Sequence, residues 1–423
     1  MVDIDELQKK VCLAKEASRK LAYTTTAVKD AALLQIARRL RADNERILVA
    51  NQLDYADAKA SGMSDAMLDR LLLTSERIDG MAKDVETVAA LPDPIGEMLD
   101  MHTLQNGLQI GKKRVSLGVI AAIYESRPNV TIDIASLCIK SGNAVILRGG
   151  KETLRSNQVL AEITQAALRE AGVPAAAVQL IENTDRSVVS ELLKMRDTID
   201  LVIPRGGEGL IKFVRDNSLI PVVAGGIGVC HTFVDASANL EKAVHIVYNA
   251  KVQRPTVCNA LDTVLVHKDI AQVFVPAMAQ ELNKAGVEFH CDGASLPILG
   301  KLGGLRLVPA VDADWGKEFL SLALAVKVVD SVDAALEHIA CFGSGHTEAI
   351  LTENYTNAQR FLNEVDAAAV MVNASTRFTD GSQFGLGAEL GISTQKMHAR
   401  GPLGLKEITS YKWIVYGNWQ ARS

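Results

Sequence analysis

The sequence predicts an α/β protein with two parallel sheets and a small separate β arm, and three patterns carry that expectation. Between residues 143 and 235, short apolar runs at 144–147, 178–181, 201–203 and 221–224 alternate with longer amphipathic stretches. This is the rhythm of strand–helix–strand units, which pair their strands in parallel and bind ligands at the carboxyl ends of the strands. A second α/β stretch runs from Lys251 to about Val372, with apolar runs at 263–266 and 323–329. Finally, residues 104–115 alternate imperfectly around Asn106-Gly107, a hairpin signal, and residues 409–416 are rich in Tyr, Trp, Ile and Val. Both predict strands outside the main core.

Ahead of these, residues 1 to about 90 read as helices. Leu33, Ile36, Ala37 and Leu40 recur at helical spacing, as do Leu68, Leu71 and Leu72, and Leu91-Pro92-Asp93-Pro94 then breaks the pattern. No internal repeat or low-complexity segment is evident. At 423 residues the chain exceeds the size at which one core stops growing, so at least two packed units are expected.

Hydrophobic residues at 48% and charged residues at 22% give the balance of a globular protein rather than a disordered one. A net charge of -5, with Lys and Arg spread along the chain, offers no basic stripe for a phosphate backbone, which argues against nucleic acid as a partner. The start, Met1-Val2-Asp3-Ile4-Asp5-Glu6, is acidic where a targeting segment would be basic. The most apolar stretch, 219–234, carries Pro221, three glycines and His231, falls short of the ~20 residues a membrane helix needs, and reads as buried sheet. A cytoplasmic protein with no membrane partner is expected. The six cysteines form no Cys-x-x-Cys pair, so neither a disulfide framework nor a metal site is expected. Phe289-His290-Cys291-Asp292 lacks paired metal-ligand spacing and reads as a turn.

Two strand ends carry glycines and cations. Pro204-Arg205-Gly206-Gly207-Glu208-Gly209 follows the 201–203 run and precedes a helical stretch, and Arg148-Gly149-Gly150-Lys151 ends the 144–147 run. The first is compatible with a plain strand-to-helix turn, but the two together suggest an anionic dinucleotide at the strand ends. Cys258 lies in the polar, Pro-bent segment Gln253-Arg254-Pro255-Thr256-Val257-Cys258-Asn259, where a thiol beside Arg254 is a plausible thiolate nucleophile. A lone cysteine is as readily a small buried hydrophobe, a reading that suits Cys138 and Cys341. Neither His-Glu-x-x-His nor Gly-x-Ser-x-Gly occurs, which removes zinc peptidase and serine hydrolase chemistry.

Three longer segments, in this order, resemble the aldehyde dehydrogenase superfamily and specifically its gamma-glutamyl-phosphate-reducing branch. They are Tyr124-Glu125-Ser126-Arg127-Pro128-Asn129, the stretch from Asn249 through Lys251 to Cys258-Asn259, and Phe384-Gly385-Leu386-Gly387-Ala388-Glu389 running on to His398-Ala399-Arg400-Gly401-Pro402. The resemblance covers essentially the whole chain. It implies an aldehyde dehydrogenase-like fold, with residues 1–103 and 116–250 binding the dinucleotide, 251–385 forming the catalytic domain, and 104–115 with 405–423 supplying oligomerisation strands.

The resemblance further implies that Cys258 is the nucleophile and that Asn129, with the Cys258 N–H, stabilises the oxyanion. It sets Arg148 and Lys151 along the adenosine ribose, Gly206 and Gly207 near the pyrophosphate or nicotinamide, and Glu318 at the nicotinamide ribose. Lys151 is a cation where NAD-preferring relatives often carry a carboxylate, which favours the 2′-phosphate of NADPH. Hydrolytic relatives carry a glutamate before Leu-Gly-Gly to activate water; here the segment is Val222-Val223-Ala224-Gly225-Gly226. A thioester on Cys258 would therefore hydrolyse slowly.

The implied reaction is the second step of proline biosynthesis, L-glutamyl 5-phosphate to L-glutamate 5-semialdehyde and phosphate, with the substrate supplied by a separate glutamate 5-kinase. Its two anionic groups need cationic partners, for which Arg127, Arg254, Arg377 and Arg400 are candidates. A CoA-acylating aldehyde dehydrogenase is the alternative enzyme, and a catalytically silent binding protein the alternative class, which the presence of both Cys258 and Asn129 disfavours.

Overall fold

The apolar periodicity before residue 91 becomes five helices: Ile4–Leu21, Thr26–Ala42, Asn44–Ala60, Asp65–Leu71 and Ser75–Ala90. The computed structural model describes residues 4–422. Leu33, Ile36, Ala37 and Leu40 are all buried on one face of the second helix, as their spacing requires. Leu68 and Leu71 are buried too, whereas Leu72 lies beyond the end of its helix and is half-buried. The break at Leu91-Pro92-Asp93-Pro94 holds an ion pair, for Asp93 meets the buried ammonium of Lys29 at 2.5 Å. Lys140, equally buried, reaches Asp30 and the carbonyl of Ala89. Removing one partner of such a pair strands the other charge in the core, at a cost of roughly 3–5 kcal/mol.

The chain divides into two compact units, Met1–Ala224 with Gly385–Gly391 and Leu403–Ser423, and Gly225–Phe384 with Ile392–Pro402. The break after Ala224 comes earlier than residue 250, where the sequence suggested it. The first unit contains a parallel sheet in the order Val178–Leu180, Ala144–Arg148, Val119–Tyr124, Leu201–Arg205. Its inner strand Val119–Tyr124 was absent from the expected rhythm. All six of its residues are buried, so it is a continuous apolar run with no alternation to mark it, and it follows closely on the hairpin. The 221–224 run, in contrast, makes only a single bridge, Val222 to Val202. Pro221 has no N–H to continue a ladder, and most of the stretch expected as buried sheet is irregular.

In the second unit seven parallel strands run in the order Arg306–Pro309, Glu288–Cys291, Ala323–Val329, Thr263–His267, His231–Val234, Thr347–Leu351, Ala369–Val372. His231–Val234 thus belongs to this sheet, although the rhythm had grouped it with the first. Its core packs Val264, Val266, Leu324 and Val326 from the sheet against Phe274 and Met278 of the helix Lys268–Asn283. The segment read as a turn at 289–292 is mostly the strand Glu288–Cys291, and His290 is held between Asp314 at 3.0 Å and Glu288 at 3.2 Å.

The β arm forms as expected but with shifted bounds. Met98–Thr103 and Gln109–Ser116 are an antiparallel hairpin, and Thr409–Tyr416 pairs with the second strand along its full length. Gly107 sits at the hairpin tip with φ +85°, a conformation that favours glycine. Among the described residues no helix is long and apolar enough to cross a membrane. The six cysteines are all free thiols; Cys138 is buried, whereas Cys341, expected as a buried hydrophobe, is exposed.

Candidate active site

In the second unit, the helix Leu240–Val252 runs into an irregular loop that carries Cys258 and then enters the strand Thr263–His267. Cys258 is half-buried. The segment 228–230 lies directly on its backbone. A Cβ added to Gly228 would overlap the Cys258 carbonyl, so only glycine allows the approach. Two residues on, the Cys230 thiol donates to the same carbonyl at 3.2 Å. Burial, reinforced by the carboxylates of Asp262 and Glu348, pushes the Cys230 thiol well above its usual range. Cys230 therefore stays protonated as a donor.

The surroundings of Cys258 are fixed from three sides. Asn259 donates to the Thr379 carbonyl at 2.8 Å and accepts from Thr376 Oγ1 through its own carbonyl at 2.8 Å. The Glu318 carboxylate accepts the Gly228 N–H at 3.0 Å, and the Ser344 hydroxyl clasps Val229, accepting its N–H and donating to its carbonyl. Beneath the loop, Lys251 donates to the Leu261 carbonyl at 2.8 Å and faces Asp262 at 3.8 Å. Burial lowers Lys251 to about 8 and raises Asp262 to about 6, and each charge opposes the shift of the other.

Two of the four candidate arginines belong to this setting. Arg377 donates from Nε to Gln253 at 2.7 Å, with Gln253 at the start of the nucleophile loop. Its guanidinium is pushed down first by burial; Asp380 opposes that, the like charge of Arg254 adds to it, and Cys258 opposes it. Arg254 and Arg377 thus lie at the same loop, two like charges with Cys258 between them in sequence. Arg400 is engaged elsewhere, donating to Asp366 at 2.7 Å. Arg127 lies in the first unit.

In the first unit the motif of residues 124–129 links the strand Val119–Tyr124 to the helix Asn129–Lys140. Ser126 adopts φ +37°, unusual for a residue with a side chain, and Glu152 holds it there by accepting both its N–H at 2.9 Å and its hydroxyl at 2.6 Å. Asn129, in the first turn of the helix, donates its side-chain N–H to Asp133 at 2.9 Å, which orients its carboxamide. Burial raises Asp133 to about 7, with Asp84 adding to that shift.

The strand ends of the first sheet carry the other expected residues. Arg148 is half-buried and donates to the carbonyls of Gly149 at 3.0 Å and Thr184 at 2.7 Å, and its Nε is buried with no partner among the described residues. Lys151 opens the turn Lys151–Thr153, exposed and without an ion pair among the described residues. Arg186, at the start of Arg186–Leu192, is a further exposed cation whose charge acts on Arg148. At the glycine loop, the Gly207 N–H, at the start of Glu208–Asn217, donates to the Glu125 carboxylate at 2.8 Å.

Sequence reasoning missed Glu125, Glu152, Asp133, Lys251, Asp262 and Cys230. Glu125 and Lys251 lie inside the quoted motifs, and Asp133, Glu152 and Asp262 lie within a few residues of one, which is the only signal available, because burial of a charged side chain leaves no mark in composition.

The sequence profile of the aldehyde dehydrogenase family matches residues 2–295. The chain is 68% identical over 417 residues to a gamma-glutamyl phosphate reductase of Dehalococcoides mccartyi, covering 99% of this chain and 98% of that protein. It is 53% identical over 410 residues to a gamma-glutamyl phosphate reductase of Escherichia coli, covering 97% and 98%. Its fold superimposes on the crystal structure of gamma-glutamyl phosphate reductase from Thermotoga maritima with a TM-score of 0.96 at 49% identity, covering 99% of this chain and 100% of that one.

The contact between Gly228 and Cys258 makes a direct prediction. Gly228→Ala forces a methyl group against a backbone carbonyl, which cannot yield as a side chain would. We expect a loss of ~1–3 kcal/mol in urea denaturation and slower alkylation of Cys258 by iodoacetamide, read by peptide mass spectrometry. Unchanged stability together with unchanged alkylation would show that the packing is not tight.

Proposed function

Because the chain belongs to the aldehyde dehydrogenase family, within its gamma-glutamyl phosphate reductases, we propose that it reduces L-glutamyl 5-phosphate to L-glutamate 5-semialdehyde through a thioester on Cys258, as the second step of proline biosynthesis. The observation that carries the mechanism is a half-buried Cys258 on a loop that Arg377 grips through Gln253 at 2.7 Å, beside a fully buried second thiol, Cys230, that donates to the Cys258 carbonyl at 3.2 Å.

The Cys258 thiolate attacks the acyl carbonyl, the oxygen becomes an oxyanion, and collapse expels phosphate to leave a thioester. Arg254 and Arg377 attract the phosphoryl dianion and stabilise it as it leaves. Asn129, its carboxamide oriented by Asp133, and the Cys258 N–H are the proposed oxyanion donors. They act again when the thioester is reduced and the aldehyde departs. Arg127 remains a candidate for the substrate α-carboxylate. Arg400, bound to Asp366, is better suited to a structural role.

The family uses a nicotinamide cofactor, which supplies hydride to the thioester when bound. The residues suit the phosphorylated form: Lys151 and Arg186 are exposed cations after neighbouring strands, and half-buried Arg148 has a buried Nε with no partner among the described residues. NADPH is therefore the proposed donor, with Lys151 toward its 2′-phosphate and Glu318 toward the nicotinamide ribose. Gly206 and Gly207 would line the site through their backbone, with Glu125 moving aside if a phosphate approaches that amide.

Residue 223, where hydrolytic relatives carry the water-activating glutamate, is a valine 4% exposed in the first unit. A carboxylate there would be buried in apolar surroundings, so its absence supports a thioester that waits for hydride or phosphate in place of water. The arm supports a homo-oligomer. Thr409–Tyr416 is the edge of its three-stranded sheet and exposes Tyr411, Trp413, Val415 and Tyr416, a row that another copy would cover. A separate kinase, acting on the free substrate carboxylate, would supply the acyl phosphate.

The reading is tested by NADPH oxidation on gamma-glutamyl phosphate, or by the reverse reaction with phosphate against CoA. Cys258→Ala should lose nearly all turnover, by ~1,000-fold or more, while still binding NADPH. Turnover coupled to CoA and indifferent to phosphate would replace this reading with an acylating dehydrogenase. Lys151→Glu should raise KM for NADPH at least ~10-fold and leave that for NADH nearly unchanged; equal effects on both would assign Lys151 a structural part. Removing residues 410–423 should give monomer or aggregate by light scattering, and an oligomer of unaltered size would exclude the arm.

A further inference from the structure

We infer that Asp262 is a positioning residue for this reaction, its carboxylate tying the Cys258 loop, the segment 228–230 and the Glu318 loop into one arrangement; the inference rests on the function proposed above. Asp262 touches neither substrate nor cofactor in that scheme. Its Oδ1 accepts the Phe319 N–H at 3.0 Å, next to Glu318, and its Oδ2 accepts the Cys230 N–H at 3.4 Å. Its own N–H returns to the Cys230 carbonyl at 3.0 Å. Lys251 stands 3.8 Å from Oδ1 and is itself pinned by the Leu261 carbonyl.

From this carboxylate the contacts run outward in two directions. Through Cys230, whose backbone Asp262 holds on both sides, the thiol donates to the Cys258 carbonyl at 3.2 Å. Through Phe319 the neighbouring Glu318 is set so that it accepts the Gly228 N–H at 3.0 Å, and Gly228 in turn packs on Cys258. The nucleophile and the carboxylate proposed to hold the cofactor are thus linked through one buried group. Phe319 is further confined by the His290 ring at 4.9 Å between centroids and by Lys317 at 5.0 Å over its face.

The chemistry of the site asks for a carboxylate. Two backbone N–H groups converge on its two oxygens, so both must be acceptors. An amide of the same shape has one oxygen and one donor nitrogen, and whichever way it turns, one N–H faces another donor. The opposing ammonium of Lys251 keeps the charge tolerable in a buried setting, and the group's second side is thereby committed to the protein.

The test uses the full-length protein with Asp262→Asn, Glu318→Gln and their combination. Fold is checked by thermal melting, KM for NADPH and kcat by NADPH oxidation on gamma-glutamyl phosphate, and Cys258 reactivity by iodoacetamide with peptide mass spectrometry. We expect Asp262→Asn to remain folded, to slow Cys258 alkylation and kcat each by ~10-fold, and to raise KM for NADPH. The double variant should raise that KM no further than the worse single variant, since a displaced Glu318 has little left to lose; independent structural damage would multiply instead. Cys230→Ala, a small change in a buried apolar setting, should slow Cys258 alkylation by ~3-fold or more and serves if Asp262→Asn does not fold.

Wild-type alkylation in Asp262→Asn, multiplying losses in the double variant, or wild-type alkylation in Cys230→Ala would each overturn the inference. Should the unaltered protein fail to reduce the acyl phosphate while Asp262→Asn still slows alkylation, the proposed reaction falls and the positioning role stands.

Discussion

A buried carboxylate facing a buried ammonium, Asp262 and Lys251, is the constraint on which the candidate active site depends. Neither charge is tolerable in that interior alone, so each requires the other, and the cost of desolvation is offset only while their partners stay in place. Those partners are backbone groups of the loops that carry the chemistry. Stability and site geometry are therefore coupled, and the loop around Cys258 is held without a regular element passing through it.

The first unit follows the same logic at the ends of its strands. Glu152 holds Ser126 in an unusual backbone conformation, Glu125 occupies the turn after Leu201–Arg205, and Asp133 orients Asn129. Glu152 and Glu125 satisfy backbone donors that an irregular segment would otherwise leave unpaired after the strands of a parallel sheet, and Asp133 does the same for a side chain within its own helix. The irregular backbone that functional loops need is supported from behind by acidic side chains, one of them, Asp133, raised by burial to about 7.

The contrast between Cys230 and Cys258 shows how environment separates two identical groups. Cys230 is fully buried and keeps its proton while Cys258 is half-buried, and the absence of a side chain at Gly228 is what allows the two segments to meet. Selectivity between the thiols is thus a matter of packing and desolvation.

The sequence by itself determined the class of the fold, because patterning follows from which faces are buried: a helical stretch before residue 91, two α/β units with parallel sheets and a separate β arm were legible in the spacing of apolar residues and in Asn106-Gly107. Cys258 stood out as a candidate as well, since a polar, Pro-bent loop is a local feature, and the resemblance of the motifs around it supplied the proposed role of nucleophile. Only the tertiary structure decided that Val119–Tyr124 lies inside a sheet, that His231–Val234 joins the second sheet, and that 221–224 is not a strand, because pairing partners are distant in the chain and a fully buried strand has no alternation. It also separated Arg377, bound to Gln253, from Arg400, bound to Asp366. Four arginines look alike as letters; what distinguishes them is which groups lie within a few ångströms, and that is settled only when segments distant in the chain are brought together.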